Sequence, residues 1–378
     1  MDYSRFQWPD KASWSRNPAR SVAWLSALLL WGCMRATVAE DADTAATTEN
    51  ELQTTDVSFD VTLLGSGSAT IHATVYENAA SPPGGMNVLA VHGWCGTSLG
   101  WKPLAKAILG DGGLRHAIKR IVAIDQVGHG DSSFPADLPN GAKFGHLQIG
   151  DNANVLVQSI DALRKLGLSP RMLLAHDLGG LEVQAAQQTL LASGSSLAAH
   201  GVTGAVLLAP VPAQGQSWLA PAFADGAGGF SELTALVVTD PELGSYLPVP
   251  QPQAATSQIE YTTTSGERVP QAPTTAQALA ADYIGPEPYL VSLQMVLALP
   301  RPSVSAGVLS AAHGTPTSIL SFSEDSVVPA ADAKELYEYL TADARGTLYR
   351  SIVAHDAVHN MLVSDPAGLI DALRGLPW

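Results

Sequence analysis

The chain has 378 residues, 46% of them hydrophobic, which is ample for one large core and for a domain carrying an insertion. Only 15% are charged, so the composition excludes a disordered chain. A formal net charge of −15 argues against a nucleic-acid partner, because phosphate binding needs clustered Lys and Arg.

Residues 1–39 read as an export segment. Arg16 and Arg20 precede the apolar run from Ser21 to Trp31, which is short for a bilayer span and suits a signal-peptide core. Two processing routes fit. Leu30-Trp31-Gly32-Cys33 resembles a lipobox, which would put a lipid on Cys33 and attach the chain to a membrane; Thr37-Val38-Ala39 resembles an ordinary cleavage site. The first route implies a periplasmic or membrane-anchored lipoprotein, the second a secreted protein. Residues 40–56 are Ala-, Thr- and acid-rich without apolar periodicity and read as a flexible linker.

The folded domain is expected over 57–378. Val57–Leu64 and Thr70–Tyr76 read as a hairpin around Gly65-Ser66-Gly67-Ser68. Short apolar runs then alternate with helical patterns: Asn87–Val91, Arg120–Ile124, Met172–Ala175, Ala205–Ala209 and Ser318–Phe322. Such runs imply an α/β fold, a mostly parallel central sheet with helices on both faces. Helices are expected at Asn152–Leu166, at Leu181–Ala192 stopped by Gly194, and from Pro366 through Leu373. Residues from about 214 to about 314 break the rhythm with a Pro- and Thr-rich stretch, and read as an inserted cap over the carboxyl ends of the strands.

The central motif is Ala175-His176-Asp177-Leu178-Gly179-Gly180, which ends an apolar strand and opens a helix. A sharp turn there pushes one side chain outward, and small residues flank it because the reversal leaves no room for bulk. Asp177 is the candidate nucleophile; the competing role is that of a helix N-cap. His92-Gly93-Trp94-Cys95-Gly96 follows an earlier strand, and a His-Gly turn there aims backbone N–H groups at an oxyanion. The amides of Trp94 and Leu178 are the candidate oxyanion hole, with His92 a structural hydrogen-bonding residue. Asp125-Gln126-Val127-Gly128-His129-Gly130-Asp131-Ser132 is read as structural, a tight loop beneath the site.

Two late segments supply an acid and a base. Asp325 precedes Val327-Val328-Pro329 after a strand, and His359 precedes the last helix. Glu324 and His355 are the rivals. The chain order is nucleophile, acid, base. The cysteines, Cys33 and Cys95, match no metal spacing and no disulfide framework, so neither metal nor cofactor is expected.

With these motifs the chain resembles the α/β-hydrolase superfamily from Val57 to Trp378. His176-Asp177-Leu178-Gly179-Gly180 resembles the His-Asp-x-Gly-Gly elbow of epoxide hydrolases and haloalkane dehalogenases. The resemblance implies the α/β-hydrolase fold and a triad of Asp177, Asp325 and His359. Aspartate is ionised at neutral pH and attacks saturated carbon to give an alkyl ester of the enzyme. Haloalkane dehalogenases place a tryptophan after the nucleophile and fluoroacetate dehalogenases an arginine; Leu178 stands there in this chain. The resemblance therefore points to a small neutral epoxide, with Tyr283 or Tyr289 of the cap as the acid at the departing oxygen. Cys95 stands where epoxide hydrolases usually have proline, and two further readings stay open: a serine-esterase relative with Asp in place of Ser, and a non-catalytic cell-envelope binding protein.

Overall fold

The computed structural model describes residues 52–63, 67–93, 96–133, 149–211, 260–262, 268–270, 315–325, 328–341, 349–355, 357, 362 and 366–378. In chain order these form β1 (Leu52–Leu63), β2 (Gly67–Asn78), β3 (Met86–Val91), α1 (Lys102–Gly110), α2 (Leu114–Ala117), β4 (Ile118–Ile124), α3 (Ile149–Lys165), β5 (Pro170–His176) and α4 (Leu178–Ala192). They continue with β6 (Gly204–Leu208), β7 (Glu260–Thr262), β8 (Arg268–Pro270), β9 (Thr317–Phe322), α5 (Ala330–Thr341), β10 (Tyr349–Ala354) and α6 (Pro366–Arg374). Among the described residues, no helix is long and apolar enough to cross a membrane.

Eight strands make one sheet in the order β1-β2-β4-β3-β5-β6-β9-β10. The first hairpin is antiparallel and β2 runs antiparallel to β4, while every pairing from β4 to β10 is parallel. This is the expected α/β architecture, and its cause is legible in the burial. Along β3, Leu89 and Val91 enter one core while Val88 and Ala90 enter the other; along β5, Leu173 and Ala175 face one side and Met172 and Leu174 the opposite side. A strand buried on both faces has to be apolar at every position, and that requires helices on both sides. Residues of α3, α4 and α5 (Ile160, Val183, Leu336) cover the first face, and residues of α1 and α6 (Leu104, Leu369) cover the second.

One boundary needs correction. Residues 52–56, read as the end of a flexible linker over 40–56, belong to β1 and pair with 74–78 of β2. Their Thr and Asp side chains are exposed because β1 is an edge strand, so composition alone resembles solvated linker. Of the cap expected over 214–314, the described part is a two-stranded antiparallel pair, β7 with β8. The remainder of the cap, with Tyr283 and Tyr289, and residues 1–39 with Cys33, lie outside the described residues.

Candidate active site

All the parallel strands point their carboxyl ends to one edge of the sheet, and the described candidates Asp177, Leu178 and Asp325 lie along it. Asp177 follows β5 directly. It holds φ 51° and ψ −118°, a left-handed conformation that costs a non-glycine residue about 1–3 kcal/mol. Its side chain makes no capping bond to the amides of α4, so the N-cap role is not the one it plays. The backbone is gripped on both sides: the Asp177 N–H donates to the Leu208 carbonyl (3.0 Å), and its carbonyl accepts from Gly180 (3.0 Å) and Val211 (3.1 Å).

Three glycines make room for this turn. A Cβ on Gly93 would lie 2.5 Å from the Asp177 Cβ and 2.6 Å from its Oδ2, so the loop after β3 rests its bare backbone on the carboxylate. A Cβ on Gly179 would meet the carbonyl oxygens of Val91 and His92, each at 2.6 Å, and one on Gly180 would meet the Pro210 Cβ at 2.6 Å. The tolerance for small residues alone, read from the sequence, is thus a matter of backbone-to-backbone contact.

His92 sits in this loop as a structural residue. The Gln126 N–H donates to its Nε2 (3.1 Å), which leaves Nδ1 to donate to the Gly93 carbonyl (2.8 Å). The Gln126 side-chain amide also donates to the His92 carbonyl (2.7 Å). Burial pushes His92 below the usual histidine range, and it is neutral. Behind it, Asp125 accepts from the Ser98 N–H (2.6 Å), from His72 Nδ1 (2.7 Å) and from the Asp131 N–H (3.2 Å). Burial acts to raise the Asp125 carboxyl, but these donors outweigh it and hold the group below its ordinary value. His72, Asp125 and Asp131 place their ligand atoms within 4.8 Å of one another. The Asp125 oxygens there are already engaged by the three donors. The loop therefore joins the strand ends to the segment behind Gly93, the structural part expected of it.

Asp325 lies just beyond β9 and is buried, with its Oδ1 accepting from the Val328 N–H (2.8 Å). Its rival Glu324 is exposed, and so is His355, the rival of His359. The Glu324 N–H donates to the Ala357 carbonyl (2.8 Å), which stitches the acid loop to the strand-following segment two residues short of position 359. β6 pairs with both β5 and β9, so Asp177 and Asp325 emerge two strands apart at the same edge, roughly 10 Å in sheet spacing. Leu178, whose amide is a candidate oxyanion donor, opens α4. His359 and Trp94 lie outside the described residues.

The sequence reading missed two polar groups in α4. This helix is enclosed nearly all round, and Glu182 within it is 1% exposed. Asn152 of α3 donates to its Oε1 (2.8 Å). Burial pushes the Glu182 carboxyl up to about 8, the Asn152 bond opposes this, and the nearby Asp177 charge adds to it. Glu182 is accordingly a neutral acid at pH 7 in the wall behind the elbow. Gln184, one turn beyond the elbow, is also buried. The only signal in the sequence was a lone charge and three amides, Gln184, Gln187 and Gln188, inside a mostly apolar helix.

The described residues thus place together a largely parallel sheet, an acidic residue on a strained strand-to-helix turn, the His92-Gly93 turn against it and a late buried carboxylate at the same edge. Residues 87–243 match the family model described as alpha/beta hydrolase fold. None of the curated proteins matches the chain in sequence. A thermophilic esterase from Thermogutta terrifontis, malate bound, superimposes with a TM-score of 0.56 at 16% identity, over 84% of this chain and 97% of that one. A lipase so far assigned only provisionally, from Acinetobacter baumannii AYE, gives 0.54 at 15% identity, over 88% and 96%. A carboxylesterase structure from the thaumarchaeon Nitrososphaera gargenis gives 0.53 at 14% identity, over 84% and 96%. The chain has the α/β-hydrolase fold.

Proposed function

We propose that the protein is a hydrolase in which Asp177 attacks a small neutral epoxide. The observation that carries this reading is the Asp177 backbone, held at φ 51° where its side chain makes no capping bond to α4 and the bare backbone of Gly93 lies against it. Strain of this kind persists only where the surroundings enforce it. An Asp177 oxygen bonds to one epoxide carbon, the ring C–O bond breaks, and the departing oxygen takes a proton from Tyr283 or Tyr289. Water then attacks the Asp177 carboxyl carbon while His359, oriented by Asp325, accepts its proton. The Trp94 and Leu178 amides hold the tetrahedral oxyanion. As it collapses the ester C–O bond breaks, and the leaving alkoxide takes the proton held by His359 to complete the diol. The Asp177 carboxyl gives its own proton to the tyrosinate, which restores the carboxylate and the tyrosine.

The test is diol release from a panel of small epoxides, expected with wild type and lost in Asp177→Asn. In His359→Gln the second step stalls, and intact-mass spectrometry is expected to find an adduct on Asp177. A wild type that turns over none of the panel, with no adduct in the histidine variant, overturns the epoxide reading.

A second reading draws on the esterases and the lipase among the structural neighbours. Here the chain is a serine-esterase relative whose nucleophile has become Asp177. It is favoured if Asp177→Ser gains p-nitrophenyl esterase activity while wild type opens no epoxide. The same proposal has the chain exported through residues 1–39 and anchored by a lipid on Cys33. Acyl labelling of wild type, absent in Cys33→Ser, tests that part.

A further inference from the structure

We infer that Gln184 is a positioning residue for Asp177: its side-chain amide ties together the two residues whose backbone amides hold the Asp177 carbonyl. Gly180 and Val211 both donate to the Asp177 carbonyl, at 3.0 and 3.1 Å. Gln184 Nε2 donates to the carbonyls of the same two residues, Gly180 at 3.0 Å and Val211 at 3.1 Å. The four bonds form a closed clamp. One arm is the first turn of α4, and the other is the segment leaving β6, where Ala209 holds φ 41° and Pro210 packs on Gly180. The amide orientation follows from chemistry, since turning it over would set the Gln184 oxygen against two carbonyl oxygens.

The clamp has a cost that points to its purpose. Gln184 Oε1 is buried and has no hydrogen-bond partner among the described residues. An orphaned buried acceptor offsets much of what the two donor bonds contribute to folding. An apolar side chain of the same length would serve stability about as well, so the amide's specific contribution is geometric. It fixes the distance between the segment leaving β6 and the elbow, and so fixes the strained backbone of Asp177. The catalytic consequence rests on Asp177 being the nucleophile; the clamp itself does not.

The experiment compares wild type, Gln184→Met and Gln184→Glu by hydrogen exchange and by epoxide turnover. In Gln184→Met the global unfolding midpoint stays near wild type. Protection at residues 177–180 and 211 falls about tenfold or more, with β3, β4 and α1 unaffected. Where wild type turns over an epoxide, kcat falls about tenfold or more and KM changes by about twofold or less. Gln184→Glu supplies an O–H donor only while protonated, so it restores local protection at acid pH and loses it at alkaline pH. Unchanged exchange at 177–180 and 211 overturns the clamp, and so does a loss of protection spread evenly over the sheet. A wild type without epoxide turnover whose Gln184→Met variant still shows the local loss removes the epoxide reading and leaves the clamp standing.

Discussion

At the scale of single residues, Asp177 is where stability has been given up. Its left-handed backbone is one that glycine adopts freely and aspartate does not. Its carboxylate is buried beside Glu182, which it pushes toward the neutral form. Asp177→Gly relieves both terms, and we expect it to raise unfolding stability by about 1–2 kcal/mol while abolishing turnover. Urea denaturation at pH 7 is the measurement. A variant less stable than wild type would mean that the carboxylate holds the fold together rather than waiting for a substrate. Gly93→Ala addresses the same carboxylate from the other side. The new methyl would have to displace the Asp177 Cβ at 2.5 Å, an atom fixed to a gripped backbone, so activity should fall about a hundredfold or more and unfolding stability by about 1–3 kcal/mol.

At the scale of elements, the contact that matters is α4 against the end of β3. Gly179 sets its backbone against the Val91 and His92 carbonyls, where a Cβ would stand 2.6 Å from each. Backbone does not move aside as a side-chain tip does. Gly179→Ala should therefore cost about 3 kcal/mol, seen as a lower urea midpoint with an unchanged slope. This element was legible in the sequence because strand, turn and helix left separate marks: an apolar run to Ala175, an acid, then paired small residues. The parallel strands were legible for the same reason, since burial on both faces leaves unbroken apolar runs within β3, β4, β5 and β6. The short amphipathic α1 and the buried polar set of α4 were not. Glu182 and Gln184 look like surface residues until the helix is known to be enclosed, and enclosure is a property of α3, β5 and the β6 segment together. Ala209 is a further case, because alanine carries no mark of a left-handed turn. The start of β1 was misplaced because pairing with 74–78, far along the chain, decides whether exposed Thr and Asp are strand or linker.

At the scale of the whole molecule, the buried titratable groups set opposing slopes of stability against pH. His92 and His129 are both depressed, chiefly by burial, His129 to about 3. Each binds its proton more readily unfolded than folded, so each adds stability as pH rises toward the unfolded value of 6.5, and nothing further above it. Glu182 acts in reverse. Raised by burial from 4.5 to about 8, it is protonated when folded and ionised when unfolded over that interval, so stability falls as pH climbs through it. His72 is raised mainly by its bond to Asp125, and its contribution is complete below 6.5 and lost as pH passes its folded value. Each group contributes a slope of about 1.4 kcal/mol per pH unit inside its own window. Just below 6.5 the two depressed histidines outweigh Glu182 and stability rises; above 6.5 only Glu182 and His72 still act, and both lower it. Stability should therefore peak near pH 6.5 and decline toward pH 8. Glu182→Gln should leave the acid limb rising more steeply and flatten most of the alkaline decline, so that its advantage over wild type grows with every unit of pH up to about 8. Urea midpoints for both proteins from pH 5 to 9 decide it: a wild type whose stability keeps rising to pH 8, or a variant that tracks it in parallel, would show that Glu182 is ionised in the folded chain and that the wall behind Asp177 already carries a second charge.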